Sequence, residues 1–258
     1  MRIYIHTDLE GISGIDSIEM IGRNNSKHPY AIARLMADVN AAIDGAFAGG
    51  ASHVTVLDSH AGGGNFDLSL LDKRAELDTK ENGKWWGKLD DTYDGTFFIG
   101  AHAMAGTING FLDHTQSSMS WYNYWVNGRR MGELAQWAMV AGHFGVPMLF
   151  VSGDEAACTE ARQFFHPLEC ATVKRGIGRN RAELLDPNKA EESIREGACR
   201  AMQLVGKAKP FTPILPMEIK LELYRSDYCD EIALKPGIER LDARTVRKIA
   251  HSYLELFF

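Results

Sequence analysis

The segment HTDLEG near the start of the chain sets two carboxylates, Asp8 and Glu10, one residue apart just beyond the short apolar run RIYIHT. Two more apolar runs, HVTVLDSH and GTFFIGAH, each deliver a histidine in the same position, His60 and His102, and Glu133 stands at the start of a helical stretch. Three carboxylates and two imidazoles suit zinc or a similar divalent cation, and five such donors exceed what one tetrahedral catalytic site with an open position uses. A pair of cations about 3.5 to 4 Å apart, bridged by a shared carboxylate, accommodates them better and activates a water as nucleophile. His114, in GFLDHTQSS, lies outside this strand-end set and is suited to moving protons. Each residue has a plainer reading beside this one. Acidic residues after strands mark where a chain surfaces, Glu133 is a carboxylate favoured by a helix dipole, and His114 is an ordinary loop histidine.

For these donors to meet, the runs that carry them must lie side by side. RIYIHT reads as a strand over about residues 2 to 7. Ile32, Leu35, Met36, Val39, Ile43, Ala46 and Phe47 recur at helical spacing until Gly49 and Gly50 stop them. HVTVLDSH and GTFFIGAH supply the next strands, separated by a polar excursion from about 61 to 94. SWYNYWV-NG-RRM predicts a hairpin about Asn127 and Gly128. A helix follows from near Gly132, its core face being Leu134, Trp137, Ala138, Ala141 and Phe144, and then the buried strand VPMLFVSG. Beyond Asp154 the pattern predicts a helix to about Phe165, a strand near CATVKR, a helix over 187–205, a strand near MEIKLELY and a final helix from Asp242.

This alternation predicts an α/β fold with a mostly parallel central sheet and flanking helices, in which ligands collect outside the carboxyl ends of the strands. The break at KAKPFTPILP divides residues 1–206, a metal-binding catalytic domain, from a smaller α/β C-terminal subdomain over 207–258 packed on it, or continuous with it. In an extended segment Asp8 and Glu10 project to the same side. His6 shares their parity, and Asp58 is placed to hydrogen-bond the His60 imidazole from behind.

Composition narrows the function further. A net charge of −6 without a basic run argues against nucleic acid as a partner. No apolar stretch is long enough for a membrane span and the first apolar run is too short for a signal peptide, so a cytoplasmic location is expected. The four cysteines lie far apart with no C-x-x-C pair, the pattern of reduced structural thiols. SHAGGGN lacks both the spacing and the lysine of a phosphate-cradling loop. The aromatic cluster Trp121, Tyr122, Tyr124 and Trp125 reads as core or subunit contact before pocket wall, and Trp85 and Trp86 as a cover over the site or a neighbouring subunit.

Five dispersed motifs, TDLEGISG, DSH at 58–60, GAHA at 101–104, DH at 113–114 and VNGRRMGELAQWAMVAGHFGVPMLFVSGDE, agree in order and spacing over about residues 2 to 155 with one family. The chain resembles the DppA-type D-aminopeptidase family, zinc metallopeptidases of bacterial dipeptide-transport operons; its C-terminal third resembles them only in the pattern of elements. The resemblance implies a two-zinc centre with Asp8 as bridging ligand, Glu10 on one zinc, and His60, His102 and Glu133 completing the set, with His114 catalytic. It implies hydrolysis of the N-terminal residue of short peptides, with D-amino-acid dipeptides such as D-Ala-D-Ala as the expected substrates, by ring-like homo-oligomers, with a decamer as the expected form. The residues around His114, Asp113 before it and TQSS after it, depart from a serine-rich context, which bears on substrate preference. Two other functions fit the same residues: another two-metal hydrolase, an amidase or phosphoesterase, and a metal- or peptide-binding protein without turnover.

Overall fold

The computed structural model describes residues 1–258. β1 (Arg2–Thr7) is followed by α1 (His28–Ala48), β2 (His53–Asp58), the short β3 (Glu76–Asp78) and β4 (Gly95–Ala101). The hairpin β5 (Trp121–Val126) and β6 (Arg129–Arg130) turns through Asn127 and Gly128, both at positive φ as a two-residue turn of this kind requires. Then come α2 (Glu133–His143), β7 (Met148–Asp154), α3 (Glu155–Phe164), β8 (Glu169–Gly178), β9 (Arg181–Leu184) and α4 (Pro187–Ala201). β10 (Met217–Leu223), α5 (Ser226–Ala233), β11 (Glu239–Arg240) and β12 (Thr245–Ala250) complete the chain.

The main sheet runs β3-β2-β1-β4-β7-β8-β9, parallel from β3 to β8 and closed by the antiparallel β9. β1 is therefore interior, and its nearly unbroken apolar sequence is what a strand covered on both faces needs. One face packs Ile3, Ile5, Phe97 and Phe150 against α1 and α4. The other packs Tyr4, Phe98 and Val151 against α2 and against a second sheet, the antiparallel β11-β12-β10-β5-β6.

That second sheet explains two departures from the sequence pattern. α2 is buried on every side from Leu134 to Gly142 rather than along one stripe, because it lies between two sheets. The predicted helix from Asp242 is instead the strand β12, and the helix in this region is α5. Val246, Ile249 and Ala250 follow helical spacing, but the open edge of β10 decides, pairing Met217 with Ala250 through Glu222 with Thr245, burying Val246 and Ala250 and leaving Ile249 exposed. Residues beyond 207 share their sheet and core with the β5–β6 hairpin, and Tyr124 Oη donates to the Leu256 carbonyl at 3.0 Å. No helix is long and apolar enough to cross a membrane.

Candidate metal centre

Asp8 leaves the carboxyl end of β1 and divides its two oxygens between two imidazoles. Oδ1 lies 2.9 Å from His60 Nδ1, beyond β2, and Oδ2 lies 3.2 Å from His102 Nε2, beyond β4. Glu10 Oε2 stands 3.0 Å from the same His60 nitrogen. Glu133 Oε1, in the first turn of α2, is 3.3 Å from His102 Nε2 and 3.6 Å from His114 Nε2. The donors thus form two groups, Asp8 with Glu10 and His60, and His102 with Glu133 and His114, with the ligand atoms of each group within 4.8 Å of one another. All six residues singled out in the sequence converge, and His114 comes closer to the metal-donor atoms than its separate loop position predicts.

The means of convergence differs from the sequence expectation in one respect. Asp8 and Glu10 do not lie on one extended strand; the chain turns at residues 9–11, and the turn brings both carboxylates to His60. Backbone bonds to the next strand hold this turn: Asp8 N–H donates to the Ile99 carbonyl and Gly11 N–H to the Gly100 carbonyl, each at 2.8 Å. Gly100 has φ +81, and a Cβ there would run into the Asp8 carbonyl.

Buried polar groups complete the support. Lys174 Nζ, on β8, donates to the carbonyls of Glu10 at 2.6 Å and Ile15 at 2.9 Å. Asp38, buried on α1, accepts from Ser13 N–H at 2.8 Å and Ser13 Oγ at 2.6 Å. An aspartate on the apolar face of an amphipathic helix is a legible anomaly, although the sequence pattern alone does not say what it holds. The register that brings Lys174 inward leaves no such trace. Asp58 does not touch the His60 ring; its carboxylate accepts from Asn65 N–H and Nδ2 and from Phe66 N–H, fixing the loop, while Asn65 Nδ2 also donates to the His60 carbonyl at 2.7 Å.

The hydrogen bonds orient the imidazoles. His102 Nδ1 donates to the Ala103 carbonyl at 3.0 Å and His114 Nδ1 to the Leu112 carbonyl at 2.8 Å, which turns both Nε2 atoms toward the cluster. Burial disfavours charge on His60 and His102, yet the adjacent carboxylates outweigh it, taking His60 up to about 11 and His102 well above the usual range. Burial likewise opposes ionisation of Glu133, and His102 with its neighbours overcomes it, bringing Glu133 down to about 2. Glu10 is also held well below the usual carboxylate range, with His60 overcoming burial. Positive charge is strongly favoured among these carboxylates. Glu10 Oε2 and His102 Nε2 are buried without a hydrogen-bond partner. Oxygen and imidazole donors in two compact groups, with orphaned atoms aimed inward, fit a pair of divalent cations.

The cluster opens into a cavity of about 490 Å³. Its apolar wall is Trp137, Trp85 and Phe257, with His6 stacked on Trp137 at 4.1 Å. Burial holds His6 down to about 3, so it stays neutral. Gln116, unforeseen in the sequence, donates its N–H to Glu133 Oε1 at 2.7 Å and its side-chain amide to Gln136 at 2.8 Å, orienting the carboxylate from the wall.

The sequence profile of the peptidase M55 family, D-aminopeptidase, matches residues 1–258. The chain belongs to this family. A D-aminopeptidase of Bacillus subtilis (strain 168) is 33% identical to the M55 chain over 263 residues, covering 100% of it and 94% of the relative. The solved structure of the zinc-dependent D-aminopeptidase DppA from Bacillus subtilis, described as a self-compartmentalizing protease, superposes with a TM-score of 0.93 at 31% identity, over 99% of this chain and 94% of that one. The M55 chain is thus a peptidase with the α/β fold of a zinc-dependent relative.

Proposed function

We propose that the protein is a two-zinc aminopeptidase that removes the N-terminal residue of short peptides, D-amino-acid dipeptides such as D-Ala-D-Ala being the substrate class. The observation that carries this is Asp8, whose two oxygens face two separate donor groups, as a carboxylate bridging two cations must. Asp8 would bridge, Glu10 and His60 would hold one zinc, and His102 and Glu133 the other. When bound, such a pair polarises the scissile carbonyl and acidifies a water. His114 anchors its Nδ1 on the Leu112 carbonyl and turns its Nε2 to the cavity, where it would exchange a proton with the reacting centre. Trp137, Trp85 and Phe257 form the apolar side of the cavity next to the reacting centre.

The description of the relative as self-compartmentalizing supports assembly into a ring-like homo-oligomer, a decamer in the full form of this proposal. Four free cysteines support a reducing, cytoplasmic setting. The test is to load the purified protein with zinc, count the metal, and offer matched D-alanyl and L-alanyl dipeptides and a phosphodiester. Two zinc ions per chain with turnover of the D-dipeptide is the expected result. Turnover of the phosphodiester alone would move the centre to another hydrolase class, and bound zinc without turnover of any substrate would make it a binding protein.

A further inference from the structure

A peptide with two free ends carries an ammonium and a carboxylate, and the cavity wall offers the carboxylate a single ammonium partner. Among its lining residues Lys80 is the only lysine or arginine. Lys80 is held in an uncommon conformation for a side-chain-bearing residue, φ +55. Such a backbone persists only where its surroundings over-determine it. Here they do: Lys80 N–H donates to Asp78 Oδ1 at 2.8 Å, and Asp78, buried at the end of β3, also accepts from Tyr4 Oη on β1 at 2.6 Å. Lys80 Nζ donates to the Gly62 carbonyl at 2.8 Å, two residues beyond His60. An ammonium has three donors, so two remain beyond this bond. A Cβ on Gly63 would stand 3.3 Å from Nζ, so the glycine run AGGGN leaves the space the ammonium occupies. Trp85, on the same loop between β3 and β4 as Lys80, supplies the adjoining apolar wall with Phe257.

We infer that Lys80 receives the C-terminal carboxylate of the substrate and so makes the enzyme selective for short peptides with a free carboxyl end. This rests on the peptidase reading above. The charge-assisted bond fixes one end of the peptide while its first peptide bond meets the metal donors, and a cavity of this size admits few residues between the two points. A longer chain, or one whose end is neutral, loses the contact.

The experiment compares D-Ala-D-Ala with D-Ala-D-Ala-amide on the zinc-loaded wild type, Lys80→Met and Lys80→Arg, reading kcat/KM, with calorimetric binding of both peptides to the zinc-depleted proteins as a second readout. The wild type should favour the free acid at least tenfold in kcat/KM and bind it more tightly than the amide. Lys80→Met should bring the two peptides within about twofold of each other, and Lys80→Arg should keep most of the preference. Equal treatment of both peptides by the wild type would overturn the assignment without any variant. A preference unchanged in Lys80→Met would overturn it too, as would equal losses on both peptides, the mark of a loop clip alone. If the wild type hydrolyses neither peptide, the peptidase reading fails, and the binding comparison still decides the role of Lys80.

Discussion

The imidazole of His114 lies flat on that of His102, with ring centroids 4.0 Å apart and planes 12° from parallel. Stacking on a ring already fixed by the Ala103 carbonyl holds His114 at the border of the metal donors, and its Nε2 is farther from Glu133 Oε1 than that of His102. His114→Ala should therefore keep two zinc ions per chain and lower kcat by about 10²- to 10⁴-fold, the usual worth of a positioned acid–base group. Metal analysis and steady-state kinetics check this; loss of one zinc equivalent would make His114 a ligand instead.

Asp8 and Glu10 should separate in the same assay. Asp8→Ala removes the carboxylate shared by both groups and should reduce bound zinc from two ions to fewer than one. Glu10→Gln disturbs only the group around His60 and should leave about one ion bound. Mass-spectrometric metal counts on dialysed protein distinguish the two patterns.

Gly100→Ala should damage the centre without altering a donor. Its φ of +81 costs a side-chain-bearing residue about 1 to 2 kcal/mol, and the new Cβ meets the Asp8 carbonyl. Thermal unfolding should fall by several degrees, and zinc affinity should fall with it. Melting curves recorded with and without a chelator report both effects.

Glu160, outside the donor set, supplies a pH signature. Oε2 accepts from Met104 N–H at 2.8 Å while Oε1 is buried without a partner. Burial, only partly offset by that bond, pushes the carboxyl from 4.5 up to about 7. The folded protein therefore retains a proton that the unfolded chain releases. Stability from this group is full below about pH 4.5 and is lost as pH rises through about 7, a change on the order of 3 kcal/mol. Glu160→Gln has no proton to lose, so wild-type stability should decline relative to the variant between pH 4.5 and 7.5. Denaturant titrations of both proteins across that range check it, since zinc release at low pH affects both alike.

The fold around β1, β2 and β4 was legible because buried parallel strands advertise themselves as apolar runs, and the donors follow those runs directly. Asp8, His60 and His102 could be placed by counting from strand ends. Glu10 reached the right partner by a turn that no periodicity records. Lys174, Gln116 and Lys80 were out of view because each arrives from a loop or a register that depends on the assembled sheet. β12 departs from its pattern for a related reason: its three apolar positions have helical spacing, and only the unpaired edge of β10 draws the segment into a strand.

β1 lies between the strands that lead to His60 and His102, so those strands stand two inter-strand spacings apart, about 10 Å, with Asp8 leaving the strand midway between them. The backbone ladder is thus the gauge on which the width of the reactive centre is laid out, before any side chain adopts a rotamer. A one-residue slip of β1 would carry Asp8 about 3.3 Å along its neighbours and turn it to the opposite face. Sheet register and reaction geometry are a single dimension of this molecule, and neither can drift while the other is kept.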